Sequence, residues 1–269
     1  MRRNLQNEIR WLLEEKHGGK RTEAAEKDIA RLEKGEHIDY VIGWVEFLGC
    51  KIDLSQKPLI PRPETEYWTE KFLQDARAAT FPGALPLLRS GPSRLRKSRG
   101  THTRCLDLFA GSGCVGIAVL KHMPWATVDF AEKEKKFLKQ IQINAKLNEI
   151  SNQRYRVIQS NIFSKVRDKY DYILANPPYV AEERRACVQK SVLEHEPASA
   201  VFGGKDGLLY IRPFLQQAKN YLKEGGELWM EFDSPQKTAV EKLLKQYRYR
   251  KWRFEKDQYA RWRYFVVQN

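Results

Sequence analysis

The 269-residue chain lacks any apolar run approaching the roughly 18 residues that a bilayer-spanning helix needs. Cysteine is scarce. Cys50, Cys105, Cys114 and Cys187 form no C-x-x-C pair, so neither a disulfide framework nor a thiolate metal site is expected. The five histidines are scattered without H-x-x-H or H-E-x-x-H, and no metal is expected. The opening MRRNLQNEIRWLLEEK carries Glu8, Glu14 and Glu15 and has no apolar core or cleavage site, which reads against a signal or transit peptide. A bacterial-type cytoplasmic location is the expectation, with the mitochondrial matrix as the alternative.

Acids are also missing from one place. Residues 81–104 hold six basic groups and no acid, and residues 234–269 hold ten basic groups against three acids. These two stretches supply +13 of the net +14. Each reads either as a solvated stretch or as a contact for RNA or another acidic surface. What is present elsewhere argues for a packed fold: 42% apolar residues, with 12 Phe, 7 Trp and 12 Tyr. The length suits one large domain or one with a small appendage.

Helical spacing of apolar residues predicts helices over 4–16 and 22–34, separated by His17-Gly18-Gly19. A hairpin over 41–48 and 50–54 turns at Gly49, and a helix over 64–77 follows a proline-rich segment. From 104 onward strands and helices alternate. Strands are expected at 105–109, 126–130, 155–159, 170–175, 226–232, 248–254 and 262–267. Helices are expected at 115–122, 133–148, 208–222 and 235–247. This βα alternation predicts a Rossmann-like α/β fold, a mostly parallel seven-stranded sheet with helices on both faces and an antiparallel edge strand. The expected organisation is a helical region at 1–40, a hairpin and interdomain segment at 41–77, a basic insertion at 78–103, and the α/β domain at 104–269.

The first of these strands contains Asp107 and runs through Phe109 into Ala110-Gly111-Ser112-Gly113 and then a helix. Such a turn lets the backbone approach a ligand and aims helix N–H groups at it. Gly116 completes G-x-G-x-x-G from Gly111, which keeps a dinucleotide formally open. A nucleoside with a charged amino-acid tail fits the same turn. Glu132, 19 residues after Gly113, is the candidate ribose acceptor, with Asp129 as its rival. Asn161 and Ile162 suit an adenine edge and face.

The strand at 170–175 ends in Asn176-Pro177-Pro178-Tyr179. The prolines remove two N–H donors, leaving the Asn176 side-chain oxygen and the Pro177 carbonyl as acceptors for an –NH2 group. Tyr179 is placed to cover its flat face. This suits methyl transfer from S-adenosyl-L-methionine to a weakly nucleophilic nitrogen, where alignment and charge stabilisation suffice.

Asp107–Gly113 followed by Asn176–Tyr179 resembles a class I S-adenosylmethionine-dependent methyltransferase of the amino-group type. Leu59-Ile60-Pro61-Arg62-Pro63-Glu64-Thr65-Glu66 resembles the segment preceding the catalytic domain of the release-factor glutamine methyltransferases (the HemK type). Glu196-Pro197, Ala200 and Gly203–Leu208 resemble that family's segment after the catalytic loop, and Gly35-Glu36 with Tyr40–Gly43 its interdomain stretch. The resemblance implies N5-methylation of the glutamine in the Gly-Gly-Gln motif of peptide chain release factors. It implies cofactor contacts from Phe109–Gly113, Glu132, Ile162 and Asn176, to which Asp107 and Asn161 are added. It implies that Asn176, Pro177, Pro178 and Tyr179 are catalytic and hold the amide, with Arg62, Pro63, Glu64 and Glu196 as further substrate-binding candidates. Asn144 stands in the register the family shows after the ribose carboxylate. Three departures stand out: an N-terminal helical part of about 40 residues, a long basic insertion, and Asn161-Ile162 where the family has Asp and often Trp. The alternative reading is an N-methyltransferase acting on an exocyclic amino group of a nucleic-acid base (adenine N6 or guanine N2). A non-enzymatic RNA-binding module is the third.

Overall fold

A computed structural model describes residues 4–80 and 102–269. The basic stretch at 81–101 lies outside the described residues.

The N-terminal region packs as three helices, α1 (Leu5–His17), α2 (Glu23–Glu33) and α3 (Ile38–Ile42). Asn4 and Thr22 cap the first two by accepting backbone N–H groups, and Gly18 ends α1 in a left-handed conformation. Ile9, Leu12, Ile29, Leu32, Val41 and Ile42 form a core of their own. The expected first strand at 41–48 is shorter than predicted, because Tyr40–Ile42 belong to α3 and only Trp44–Phe47 (β1) is extended. β1 pairs antiparallel with β2 (Cys50–Asp53).

Helix α4 (Pro63–Thr80) starts at a proline, whose missing N–H costs nothing in the first turn. The α/β unit then runs β3 (Thr103–Leu108), α5 (Cys114–His122), β4 (Ala126–Glu132), α6 (Lys135–Leu147), β5 (Tyr155–Gln159) and β6 (Tyr170–Ala175). Short helices α7 (Lys190–His195) and α8 (Ala198–Val201) follow, then α9 (Ile211–Gln217), β7 (Leu222–Glu231), α10 (Lys237–Gln246), β8 (Lys251–Lys256) and β9 (Trp262–Gln268). The strand order is β5-β4-β3-β6-β7-β9-β8. The five strands β5 to β7 are mutually parallel. The antiparallel edge pairing is present, and β9 lies inside the edge strand β8, antiparallel to both neighbours.

Two expectations shift at this end. The helix predicted over 208–222 is confined to Ile211–Gln217 and a short tight turn, because Leu222 already pairs with Tyr170. Lys223–Gly226 then bulge out before Glu227 pairs with Tyr172, with Gly225 at φ 70°. The strand predicted from 248 begins at Lys251, because Arg248 turns the chain at positive φ.

The hairpin is fastened to the sheet domain by side chains one helical turn apart on α6. Asn148 accepts from Lys51 N–H (3.0 Å), Asn144 from Asp53 N–H (2.8 Å) and Gln140 from Gln56 N–H (2.9 Å). Their NH2 groups return bonds to Lys51 and Asp53 carbonyls. The i, i+4, i+8 spacing lays three amides along one helix face, where they satisfy backbone as a neighbouring strand would.

Candidate active site

The carboxyl ends of β3, β4, β5 and β6 open into a cavity that is continuous with solvent. Its lining includes Phe109, Gly111, Glu132, Asn161, Ile162 and Asn176 from the strand ends. Leu59, Pro178, Ser199, Ala200 and Tyr210 complete it from the flanking segments. A crevice at strand carboxyl ends is where open α/β sheets take ligands.

The glycine turn is shaped by contacts beneath it. Gly111 (φ 53°) and Gly113 (φ 78°) take left-handed backbone conformations. Gly116 answers to packing rather than to a ligand, since a Cβ there would lie 2.2 Å from Phe130 Cε1. The fingerprint glycine that kept a dinucleotide open is thus explained by the sheet. Asp107 is buried, and its carboxyl accepts the Gly116 N–H (2.9 Å). It braces the turn from below and does not line the cavity. Ala110, Ser112 and Gly113 belong to the turn without lining the cavity. The Ser112 carbonyl accepts from Asn144 (2.8 Å), so Asn144 ties the turn to β2.

Glu132 closes β4 and reaches the cavity. One carboxylate oxygen accepts Gly111 N–H and the other Glu134 N–H, both at 2.8 Å. Each oxygen keeps a lone-pair site, which fits a ribose diol. Burial pushes the Glu132 carboxyl up, and the backbone donors pull against that. Asp129, its rival, is engaged elsewhere, accepting from Arg156 and Tyr170. Phe109 and Ile162 hold positive φ, so both backbones turn at the rim.

At the reaction end, Asn176 and Pro178 line the cavity and Pro177 is buried beside them. Tyr179 turns its hydroxyl away, donating to Glu231 (2.7 Å). The loop is clamped from outside. A Cβ on Gly203 would lie 2.5 Å from the Pro178 carbonyl oxygen, and one on Gly207 2.2 Å from that of Tyr179. Gln236 donates to the Tyr179 carbonyl (2.9 Å). Arg62 and Glu196, both read as substrate-binding, bind each other at 2.5 Å, and Glu196 also accepts Ile60 N–H. Their pairing places Leu59 at the cavity wall. Pro63 is exposed and Glu64 half-buried at the start of α4, outside the cavity lining.

Spacing did not reveal Thr65, Trp68, Glu231, Gln236 and Arg263. Glu231 is buried and accepts from Thr65 and Trp68 (both 2.7 Å) as well as from Tyr179. These partners lie 166, 163 and 52 residues away, beyond the reach of any local motif.

The fold and cavity define a class I methyltransferase. A family model described as the Methyltransferase small domain matches residues 92–211. A release factor glutamine methyltransferase of Thermodesulfovibrio yellowstonii is 32% identical over 80% of this chain and 70% of its own length. One from Streptococcus pneumoniae is 31% identical over 85% of this chain and 73% of its own. Among solved structures, a ribosomal protein L11 methylase from Lactobacillus delbrueckii subsp. bulgaricus shares the fold with TM-score 0.51 and 16% identity, over 80% of this chain and 82% of that one. The chain belongs to the release factor glutamine methyltransferase family and is an S-adenosylmethionine-dependent enzyme.

Proposed function

We propose that this protein methylates the side-chain amide nitrogen N5 of the glutamine in the Gly-Gly-Gln motif of a peptide chain release factor. The observation carrying this reading is the rim formed by Asn176, Pro177 and Pro178 beside the cavity. Its prolines have no N–H, so the rim offers oxygens. The Asn176 Oδ1 and the Pro177 carbonyl accept the two N–H groups of a planar amide. That holds the nitrogen in place and stabilises the positive charge it gains. Bound S-adenosylmethionine supplies an electrophilic methyl group, so no strong base has to act before transfer. Glu132 accepts from the ribose hydroxyls, Gly111 brings the backbone close to the cofactor, and Asn161 and Ile162 border the adenine. Phe109 and Tyr210 exclude water from the same wall. The reading places the enzyme in a bacterial-type cytoplasm beside its substrate. It also gives the basic stretches 81–104 and 234–269 a docking role against an acidic surface of the release factor.

The test is a labelled-methyl assay with purified release factor. Label should appear on the Gly-Gly-Gln peptide, and Asn176→Ala should abolish it while changing cofactor affinity by less than about tenfold. Label on RNA or DNA with none on the peptide would favour the base-methylating alternative.

A further inference from the structure

The buried carboxylate of Glu231 lies behind the reaction loop, and hydrogen-bond direction propagates from it. Trp68 can only donate through its indole N–H, and it does so to Glu231 Oε2 at 2.7 Å. Thr65, in the first turn of α4, gives its single hydroxyl proton to the same oxygen at 2.7 Å. Tyr179 donates to Oε1 at 2.7 Å, and Arg263 approaches the Tyr179 hydroxyl at 3.4 Å. A proton taken up by Glu231 would sit on Oε1, so Oε2 stays an acceptor in either state.

With its proton committed, the Thr65 hydroxyl can only accept from other groups. Asn176 meets it at 3.0 Å through Nδ2. The opposite amide orientation would set Oδ1 against a hydroxyl oxygen with no proton to offer. An uncompensated contact of that kind is costly at a buried site. The Asn176 Oδ1 is accordingly left without a hydrogen bond among the described residues, and it is not sealed from solvent in the way the buried unpartnered atoms are.

We propose that Glu231, acting through Thr65, is a positioning residue that fixes which edge of the Asn176 amide faces the acceptor nitrogen. The inference rests on the reading of Asn176 as the group that holds the substrate amide. An inverted Asn176 would present NH2 to the substrate NH2, repelling the nitrogen it should hold. An asparagine side chain rotated by half a turn has nearly the same shape, so packing alone cannot select the active orientation. The Thr65 hydroxyl supplies that selection.

Three variants test this. Thr65→Val keeps the shape and removes the hydroxyl, Thr65→Ser keeps the hydroxyl, and Glu231→Gln keeps an oxygen acceptor for Trp68 and Thr65. In methyl transfer to a release factor, Thr65→Val should lose at least about tenfold in kcat with cofactor affinity by calorimetry unchanged, and Thr65→Ser should recover most of the loss. The Asn176 side-chain NH2 resonances, assigned by their disappearance in Asn176→Ala, should be protected from solvent exchange in the wild type, Thr65→Ser and Glu231→Gln. Thr65→Val should lose that protection. A Thr65→Val enzyme with wild-type kcat, or with the NH2 still protected, would overturn the proposal, as would loss of protection in Glu231→Gln. Absence of methyl transfer by the wild-type enzyme would instead overturn the reading of the substrate and leave the exchange measurement standing.

Discussion

Asp107 sits in the centre of the parallel sheet, where burial pushes its carboxyl up to about 7, against the pull of the Gly116 N–H. The unfolded chain releases this proton near the ordinary value of 3.8. Between these values the native state holds a proton that the unfolded state has lost, so stability falls as pH rises through that window. Asp107→Asn keeps an acceptor for Gly116 and cannot titrate. Its melting temperature should therefore decline less between about pH 5 and about pH 8 than that of the wild type. Equal declines measured by calorimetry would contradict the assignment. The sequence placed Asp107 in the cofactor motif, and the structure puts it one layer beneath. Strand alternation tells which residues point inward but not which of them meets a ligand. Asn176 and Glu132 were legible because each ends a strand. Thr65 and Glu231 were not, because their chemistry depends on a contact between residues 166 apart in sequence.

Among the elements, α6 does more than cover the sheet. Its face of Gln140, Asn144 and Asn148 holds the β1–β2 hairpin, and Asn144 also holds the glycine turn. Asn144→Ala would leave the Asp53 N–H and the Ser112 carbonyl without their partner, a cost of about 1–3 kcal/mol in chemical denaturation. Cofactor affinity should weaken with it, because the turn loses its tether. Unchanged affinity in a destabilised variant would separate the two roles. Gly116→Ala should also destabilise, by about 1–3 kcal/mol, since the new methyl runs into the buried ring of Phe130. Long elements with clean periods were readable from the sequence. The five-residue α3 was not, being too short to show a period, and neither was the bulged start of β7, where strand pairing overrides a helical pattern.

For the whole molecule, the net +14 first points toward nucleic acid, yet the segments that build the site are nearly neutral. Little of the C-terminal excess is answered internally. Lys245, Arg253 and Arg263 pair with Glu241, Glu255 and Asp257, the three acids already counted in that stretch, and Arg253 also reaches Asp75 outside it. If the remaining basic groups dock the release factor, methylation should slow as salt rises, with KM increasing and kcat holding. A KM independent of salt would remove the docking role. The N-terminal helices keep a separate core; Glu36 pairs with Arg31 inside that region and with Lys57 beyond it, and the two cations hold the Glu36 carboxyl down at about 2.

The central claim is that this rim of oxygens holds a glutamine amide for methylation. Its most direct test is mass spectrometry of a release factor incubated with the enzyme and methyl-labelled S-adenosylmethionine. The account predicts one labelled methyl on the glutamine of Gly-Gly-Gln, absent with Asn176→Ala. An unlabelled glutamine beside an enzyme that binds the cofactor would contradict it.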